Sequence, residues 1–271
     1  MSILEFVLAG LGVGIAIGMT GVGGGSLMTP LLILGFGFSP STAVGTDLLY
    51  AACTKSFGVY LHGRAGSVDW RTVAWMASGS VPAALMTVAW LQYHGITAWV
   101  EHLMTITLCA AIFTTALLSL FRARLMGNRA VGADAVVSAP VTATTRAVIT
   151  VFAGLALGAL VTLSSVGAGV LGTTLLLVLY PRLSMFRVVG TDISHAVPLT
   201  LIAGLGHLEL GSAQPGTLLL LIAGSLPGIY LGTQLALRVR DVLLRALVTS
   251  LLLAAGTGIL WHTLSAYGVV G

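Results

Sequence analysis

Hydrophobic residues occur along this chain in long runs that are separated by short polar segments. Two of the runs, 3–36 and 145–180, would each extend over about 50 Å as straight helices. The others have about 20 residues each, the length that a helix needs to cross a hydrocarbon core of roughly 30 Å, and they are 41–62, 71–92, 99–121, 187–206, 215–237 and 242–266. The pattern predicts an all-α integral membrane protein with eight hydrophobic segments.

Each of the two long runs contains a glycine-rich interruption. The first is "TGVGGG" at 20–25, and the second is "SSVGAG" at 164–169. Glycine destabilises a helix interior because it has more backbone freedom to lose than any other residue. We therefore predict that the segments 3–36 and 146–180 are helical hairpins, each of which enters the membrane, turns at its glycines and leaves on the same side.

The second half of the chain repeats the first half at an offset of 144 to 145 residues. The repeated motifs are "GTD" at 45–47 and 190–192, His62 and His207, Gly66-Ser67 and Gly211-Ser212, and "GSVP" at 79–82 against "GSLP" at 224–227. We therefore predict a duplicated unit, with a first repeat at 1–121, a linker at 122–145 and a second repeat at 146–271. Each repeat consists of one hairpin and three spans.

The basic residues indicate that the two repeats face opposite ways. The loop near 62–71 carries two arginines, whereas its counterpart near 207–215 has none. The loop near 93–100 has none, whereas its counterpart near 238–245 carries three. Because Lys and Arg accumulate in cytoplasmic loops, this pattern predicts inverted repeats with both termini outside and the 122–145 linker in the cytoplasm. Three spans and a non-crossing hairpin give each repeat the odd number of crossings that inversion requires.

Composition supports the membrane and excludes several classes of function. The chain of 271 residues is 57% hydrophobic and only 7% charged, against roughly 25% charged residues in soluble domains. The basic residues behind the net charge of +4 lie in short clusters between the apolar runs, so no nucleic-acid partner is expected. The two cysteines, Cys53 and Cys109, lie within apolar runs and predict neither a disulfide framework nor a metal site. No cofactor is expected.

The two glycine-rich breaks are the leading candidates for a binding site. Non-helical backbone at membrane depth requires surrounding protein or a water-filled cavity. Helices that begin near Gly25 and Gly169 would direct free N–H groups and positive dipole ends at the protein centre, where an anion can bind. Alternatively, the glycines serve only close helix packing. The candidate binding residues are Gly23, Gly24, Gly25, Ser26, Ser165, Gly167, Ala168 and Gly169, with Thr29 and Thr173 as further hydroxyl donors.

The charged residues inside the predicted spans are further candidates, because such residues are costly and usually functional. Lys55 is the only lysine of the chain and lies within the 41–62 run. Asp47 precedes it by eight residues, so the two side chains project within about 80° of each other and can face one cavity. We predict that Lys55 binds the anionic substrate; pairing with an aspartate is the alternative.

The second repeat differs from the first at these positions. Thr200 takes the place of Lys55, and His195 takes the place of Tyr50. A histidine titrates near neutral pH, so His195 and Asp192 are predicted to take part in binding or in proton coupling.

The aspartates and two other histidines also have structural interpretations. Asp47 and Asp192 each follow Gly-Thr near the beginning of a predicted helix, where a carboxylate can cap free N–H groups. Coupling and capping therefore both stay open for them. His62 and His207 lie near helix ends, and we expect them at the membrane interface.

Together these motifs resemble the TauE/SafE sulfite exporter family, which is also called the 4-toluene sulfonate uptake permease family. The resemblance rests on "GMTGVGGGSLMTPLLILGFGFSPSTAVGTDL", "GSVDW", "GSVPAAL" and the second-half "SVGAGVLGTTLLL". It implies a transporter of the bacterial inner membrane for sulfur-containing anions such as sulfite, sulfoacetate or other organosulfonates. The second break reads "VGAG" instead of a fuller glycine run, which implies a less open turn.

The expected function is secondary transport of a small anion, with alternating access between the two repeats and with proton or counter-ion coupling. An anion channel of the same architecture is one alternative, and a transporter of a non-sulfur organic anion is another. An enzyme is not expected, because no nucleophile–base pair or metal set is evident. Membrane transporters of this size often dimerise, so a homodimer is an open alternative to the monomer.

Overall fold

The computed structural model describes residues 2–20, 25–131, 142–236 and 241–266, and almost all of them are helical. Within these ranges there is no strand, so the prediction of an all-α fold is confirmed. The ten helices are α1 Ile3–Thr20, α2 Gly25–Phe36, α3 Pro40–Arg64, α4 Trp70–His94, α5 Ala98–Val131, α6 Ala143–Ser164, α7 Val170–Leu179, α8 Met185–Glu209, α9 Pro215–Ala236 and α10 Asp241–Ala266.

Most helix ends lie within a few residues of the hydropathy boundaries, and α5 is the exception. This helix continues from the predicted end at residue 121 to Val131, and α6 begins at Ala143. The described helices therefore extend into the predicted 122–145 linker from both ends. The reason is local: "RARLMGNRAV" is rich in Arg, Leu, Met and Ala, which are strong helix formers even outside an apolar run.

The two long runs are each divided into a longer and a shorter helix, as predicted. Between α6 and α7 the backbone leaves the helical region at Ser165, with φ 57°, and at Gly167 and Gly169, with φ 126° and 154°. L-residues rarely adopt such angles, so this break depends on its glycines. Between α1 and α2, the predicted site residues Gly23 and Gly24 lie outside the described residues.

Five of the described helices are long and apolar enough to cross a membrane: α4, α5 over Ala98–Ser119, α6, α8 and α9 over Pro215–Leu235. Large apolar side chains also remain exposed on the outer surface, among them Phe152, Leu219 and Trp261. A surface of this kind fits lipid better than water, and the chain is a multi-pass membrane protein. Helix α6 has 22 residues, about 33 Å, so this arm of a predicted hairpin is itself long enough to span.

The longest interfaces join helices of different halves of the chain. On α1, three glycines lie against the α9 backbone, Gly10 at Leu221, Gly14 at Ser225 and Gly18 at Ile229. On α4 and α6, Met76 lies against Gly154 and Ser80 against Gly158. Residue numbers rise together across both interfaces, so both helix pairs are parallel. Glycines at these positions let two backbones approach closely, as is common in membrane helices.

Helices α3 and α8, which carry the two GTD motifs, pack against each other in the opposite sense. Gly45 of α3 lies against His207 of α8, and Gly58 lies against Ile193. Residue numbers on one helix therefore rise as those on the other fall, and the two helices are antiparallel.

The directions of the remaining helices follow from further contacts. Ser80 and Val88 of α4 meet His195 and Gly206 of α8, so α4 is parallel to α8. Because α6 is parallel to α4, it is also parallel to α8, and the chain has to return between them through α7. A return of this kind is what a hairpin requires, here with one long arm and one short arm.

Candidate functional site

The threonines of the two GTD motifs tie the halves of the protein together. The Thr46 hydroxyl oxygen accepts a hydrogen bond from the backbone N–H of Gln214 at 3.1 Å. The Thr191 hydroxyl oxygen accepts one from the backbone N–H of Asp69 at 3.0 Å. Each threonine thus holds the loop that precedes a helix of the other half, and the two bonds are equivalent under the repeat.

The aspartate of the first motif supports a neighbouring helix and does not cap its own. Asp47 is the eighth residue of α3 and is completely buried, so the capping interpretation is wrong for its own helix, whose free N–H groups lie in the first turn. The Thr29 hydroxyl of α2 donates a hydrogen bond to Asp47 Oδ2 at 2.5 Å. The Ser165 hydroxyl, after the end of α6, also lies beside this carboxylate.

The aspartate of the second motif lies at the corresponding place in the second half. Asp192 is the eighth residue of α8, so it does not cap its own helix either. Its Oδ1 packs against Gly172, near the beginning of α7, where there is no room for a Cβ. Each aspartate therefore contacts the short helix that follows the break in its own half.

The beginning of α2 and the break between α6 and α7 meet at a pocket. Gly25, the first residue of α2, packs against the Ser165 carbonyl so closely that no side chain fits there. The cavity volume is about 10 Å³, which is room for about one water molecule. Its lining includes six of the predicted site residues together with two that were not predicted: Gly25, Ser26, Ser165, Gly167, Ala168 and Gly169, then Thr115 and Val170.

Positive electrostatic features surround this pocket. The first residues of α2 and α7, Gly25 and Val170, both line it, so the positive ends of two helix dipoles meet there. Gly169 at the N-cap of α7 makes no side-chain cap. The half-buried Lys55 donates a hydrogen bond from Nζ to the Ala168 carbonyl at 2.6 Å, which places a cation at the pocket wall. The arrangement suits a small anion.

Two hydroxyl groups of the pocket lining are buried and stand out. Thr115 Oγ1 makes no hydrogen bond among the described residues, whereas Ser165 Oγ lies beside the Asp47 carboxylate without a hydrogen bond of standard geometry. A buried polar group without a partner costs about 1–3 kcal/mol, and such a group calls for a water, an ion or a function to explain it. Both hydroxyls can donate to an anion in the pocket.

Thr115 is the polar residue of the lining that sequence reasoning missed. It lies on α5, outside both breaks and outside every repeated motif. The only local signal is the pair Thr114-Thr115 in the middle of an apolar run. Thr114 shows why this signal is weak, because its hydroxyl donates to the Ala110 carbonyl of its own helix at 2.7 Å. Threonine is tolerated inside membrane helices in that way.

His195 lies apart from the pocket. Its Nε2 makes a 2.7 Å hydrogen bond with Ser80 Oγ at the buried contact of α8 with α4. The repeat-equivalent Tyr50 lies beside Ser225, which is the equivalent of Ser80. The structure therefore pairs His195 with Ser80, and His195 is not among the residues that line the pocket.

The other predicted polar residues bond turns or helix backbone, and His207 Nε2 also bonds the Thr162 carbonyl of α6 at 3.0 Å. His62 Nδ1 bonds Ser67 Oγ at 2.7 Å, and His207 Nδ1 bonds Ser212 Oγ at 2.9 Å, so both histidines hold the turn that ends their helix. Thr173 donates to the Gly169 carbonyl at 2.6 Å within α7.

Comparisons with known proteins identify relatives over most of the chain. Residues 6–259 match the sequence profile of the family described as Sulfite exporter TauE/SafE. "Probable membrane transporter protein YjnA" of Bacillus subtilis (strain 168) is 34% identical over 254 residues, which are 93% of this chain and 98% of that protein. "Probable membrane transporter protein YdhB" of the same organism is 28% identical over 239 residues, 87% of this chain and 91% of that protein. No solved structure shows significant similarity.

Proposed function

Because the chain belongs to the sulfite exporter TauE/SafE family and is a membrane transporter, we propose that it carries a small sulfur-containing anion across the bacterial inner membrane. The proposed substrates are sulfite, sulfoacetate or another organosulfonate. The observation that carries the proposal is the pocket at the beginning of α2 and α7, where two helix N-termini, the hydroxyls of Thr115 and Ser165 and the Lys55 ammonium come together.

The chemistry of this pocket matches an oxyanion. Backbone N–H groups at the beginning of α2 and α7 and the hydroxyls of Ser165 and Thr115 are hydrogen-bond donors for the oxygens of a sulfite or sulfonate group. The Lys55 ammonium adds a full positive charge, and hydrogen bonds that involve an ionised group are roughly twice as strong as neutral ones. An anion in the pocket would also remove the cost of the unpartnered Thr115 hydroxyl.

The proposed transport cycle is alternating access between inverted halves. Three observations support inversion: α3 and α8 are antiparallel, the α1–α9 and α4–α6 interfaces are both parallel, and the bonds of Thr46 and Thr191 are reciprocal. Both termini would then be outside and the linker in the cytoplasm. Because α1 packs on α9 and α6 packs on α4, rocking of one half against the other would move the breaks and expose the pocket to either side in turn.

A thermal-shift screen of the purified protein tests the substrate class. Sulfite, sulfoacetate, taurine, sulfate and acetate are compared, because a ligand that binds the native state at about 100 times its Kd stabilises it by about 2.7 kcal/mol. Stabilisation by sulfite or a sulfonate supports the proposal. Stabilisation by acetate alone supports a non-sulfur organic anion, and no stabilisation by any of them refutes anion binding.

Flux measurements in proteoliposomes separate the transporter from the channel. We expect saturable uptake of the anion identified in the screen, and this uptake should depend on a proton or counter-ion gradient. A large conductance without saturation or coupling would favour the anion channel and contradict alternating access.

A further inference from the structure

One hydroxyl group lies between the pocket and a completely buried carboxylate. Asp47 receives a hydrogen bond from Thr29 at Oδ2, whereas its Oδ1 is buried without a hydrogen bond among the described residues. Ser165 lies beside this carboxylate, and its hydroxyl makes no hydrogen bond of standard geometry either. Because Ser165 also lines the pocket, it can contact either the carboxylate or a bound anion.

A serine hydroxyl has one proton to donate, so it can serve one of these two acceptors at a time. When Asp47 is ionised, the carboxylate next to Ser165 is the stronger acceptor and competes with an anion for that proton. When Asp47 is protonated at Oδ1, the acid donates to Ser165 Oγ, and the serine proton is free for the anion. Protonation also removes a negative charge from the surroundings of the pocket, and this second effect strengthens anion binding because it reduces electrostatic repulsion.

We propose that Asp47 is a proton-binding site whose occupancy is linked to anion binding through the Ser165 hydroxyl. A proton and an anion then bind together and dissociate together, because each raises the affinity for the other by the same factor. This inference rests on the proposed function, and it identifies the ion that is coupled to the anion.

The surroundings of Asp47 fit this role. The charged and titratable groups that act on it among the described residues are Lys55 of its own helix and the phenol of Tyr50. The two neighbouring segments, α2 and the end of α6, present to it the hydroxyls of Thr29 and Ser165. These hydroxyls can accept as well as donate, so they can satisfy both the ionised and the protonated carboxyl group.

The equivalent residue in the second half has different surroundings. Asp192 Oδ1 packs against Gly172 of α7, and Asp192 is not part of the pocket lining. Asp192→Asn is therefore a matched comparison for Asp47→Asn, because it makes the same chemical change at the equivalent position of the other repeat.

Isothermal titration calorimetry with methanesulfonate tests the inference, since the sulfonate group stays ionised throughout the titration range. Titrations in two buffers of different ionisation enthalpy give the number of protons taken up with the anion. At a pH where Asp47 of the empty protein is ionised, we expect the wild type to take up about one proton per anion, and its affinity to fall about tenfold per pH unit. Asp192→Asn should keep the proton uptake and its pH dependence, whereas its absolute affinity changes because the Asp192 charge also acts on Lys55.

Asp47→Asn should bind the anion without proton uptake and with an affinity that does not change with pH. The amide can donate to Ser165 while its oxygen accepts from Thr29, which reproduces the protonated state. Thermal melting of the variant checks that it is folded.

Three results would overturn the inference. Wild-type binding without proton uptake removes the coupling and leaves the proposed function intact. Undiminished proton uptake in Asp47→Asn assigns the proton to another group. Undiminished uptake in Ser165→Ala, with Ser56→Ala as the control because the Ser56 hydroxyl bonds only its own helix, excludes the serine route. If the wild type binds none of the screened anions or methanesulfonate, the proposed function fails and the inference fails with it.

Discussion

Replacing Thr115 with valine should change anion affinity and apo-protein stability in opposite directions. The Thr115 hydroxyl is buried at the pocket and has no partner among the described residues. In the empty protein this group costs about 1–3 kcal/mol. Because valine has nearly the same shape without the hydroxyl, we expect Thr115→Val to raise the free energy of unfolding of the empty protein by up to that amount.

The same substitution removes one hydrogen bond to a bound anion. A hydrogen bond to a charged group contributes about 1.5–3 kcal/mol, and every 1.4 kcal/mol is a factor of ten in Kd. Anion binding by Thr115→Val should therefore be roughly 10 to 150 times weaker. The two assays are thermal melting without anion and calorimetric titration with the anion that stabilises the wild type most.

Thr114→Val is the matched control. Its hydroxyl is exposed and bonds the Ala110 carbonyl of its own helix, so neither measurement should change by more than a few tenths of a kcal/mol. Unchanged affinity in Thr115→Val would remove Thr115 from the binding site. A lower melting temperature would show that its hydroxyl has a structural partner in the empty protein, and either result would refute the reasoning.

Three further predictions follow from the same geometry. Gly25→Ala should lower the free energy of unfolding by about 1–3 kcal/mol in a melting assay, because the new Cβ would collide with the Ser165 carbonyl. Gly12→Ala should leave it unchanged, because open space surrounds a Cβ at residue 12. Lys55→Gln keeps a donor for Ala168 but loses the charge, so anion affinity should fall roughly tenfold or more; an unchanged Kd would exclude contact with the anion. Single cysteines at residues 2 and 130, in a background without Cys53 and Cys109, should label from opposite faces, and labelling from one face contradicts the inverted topology.

Much of the helical framework could be predicted from sequence because its causes are local. Hydrophobic runs of span length form helices wherever they occur in a bilayer, so α3, α4 and α8 lie close to the predicted 41–62, 71–92 and 187–206. Glycine clusters interrupt a helix through their own backbone freedom, and the break between α6 and α7 lies at the predicted "SSVGAG". The end of α5 was placed too early because helix formers extend a helix beyond its apolar part.

The contacts of the polar residues were harder to predict, because they depend on which helices become neighbours. A cap on its own helix was one of two interpretations left open for Asp47, yet the structure has it accept a hydrogen bond from Thr29 of α2. His195 was grouped with the breaks, yet it pairs with Ser80 of α4. The repeat did contain a usable signal, since Ser80 and Ser225 occupy equivalent positions, as do His195 and Tyr50.

By itself the sequence determined the membrane setting, the helices and the repeated motifs, since hydropathy and repetition are properties of a segment or of a pair of segments. Tertiary structure alone decided that α1 packs on α9 and α6 on α4, and that the beginning of α2 lies against the break between α6 and α7. It also decided that Thr115 of α5 joins Ser165 at one pocket. A buried hydroxyl can bind a ligand only where the fold places other donors around the same pocket. Here the hydroxyls of Thr115 and Ser165 come from segments that are about 50 residues apart in the chain.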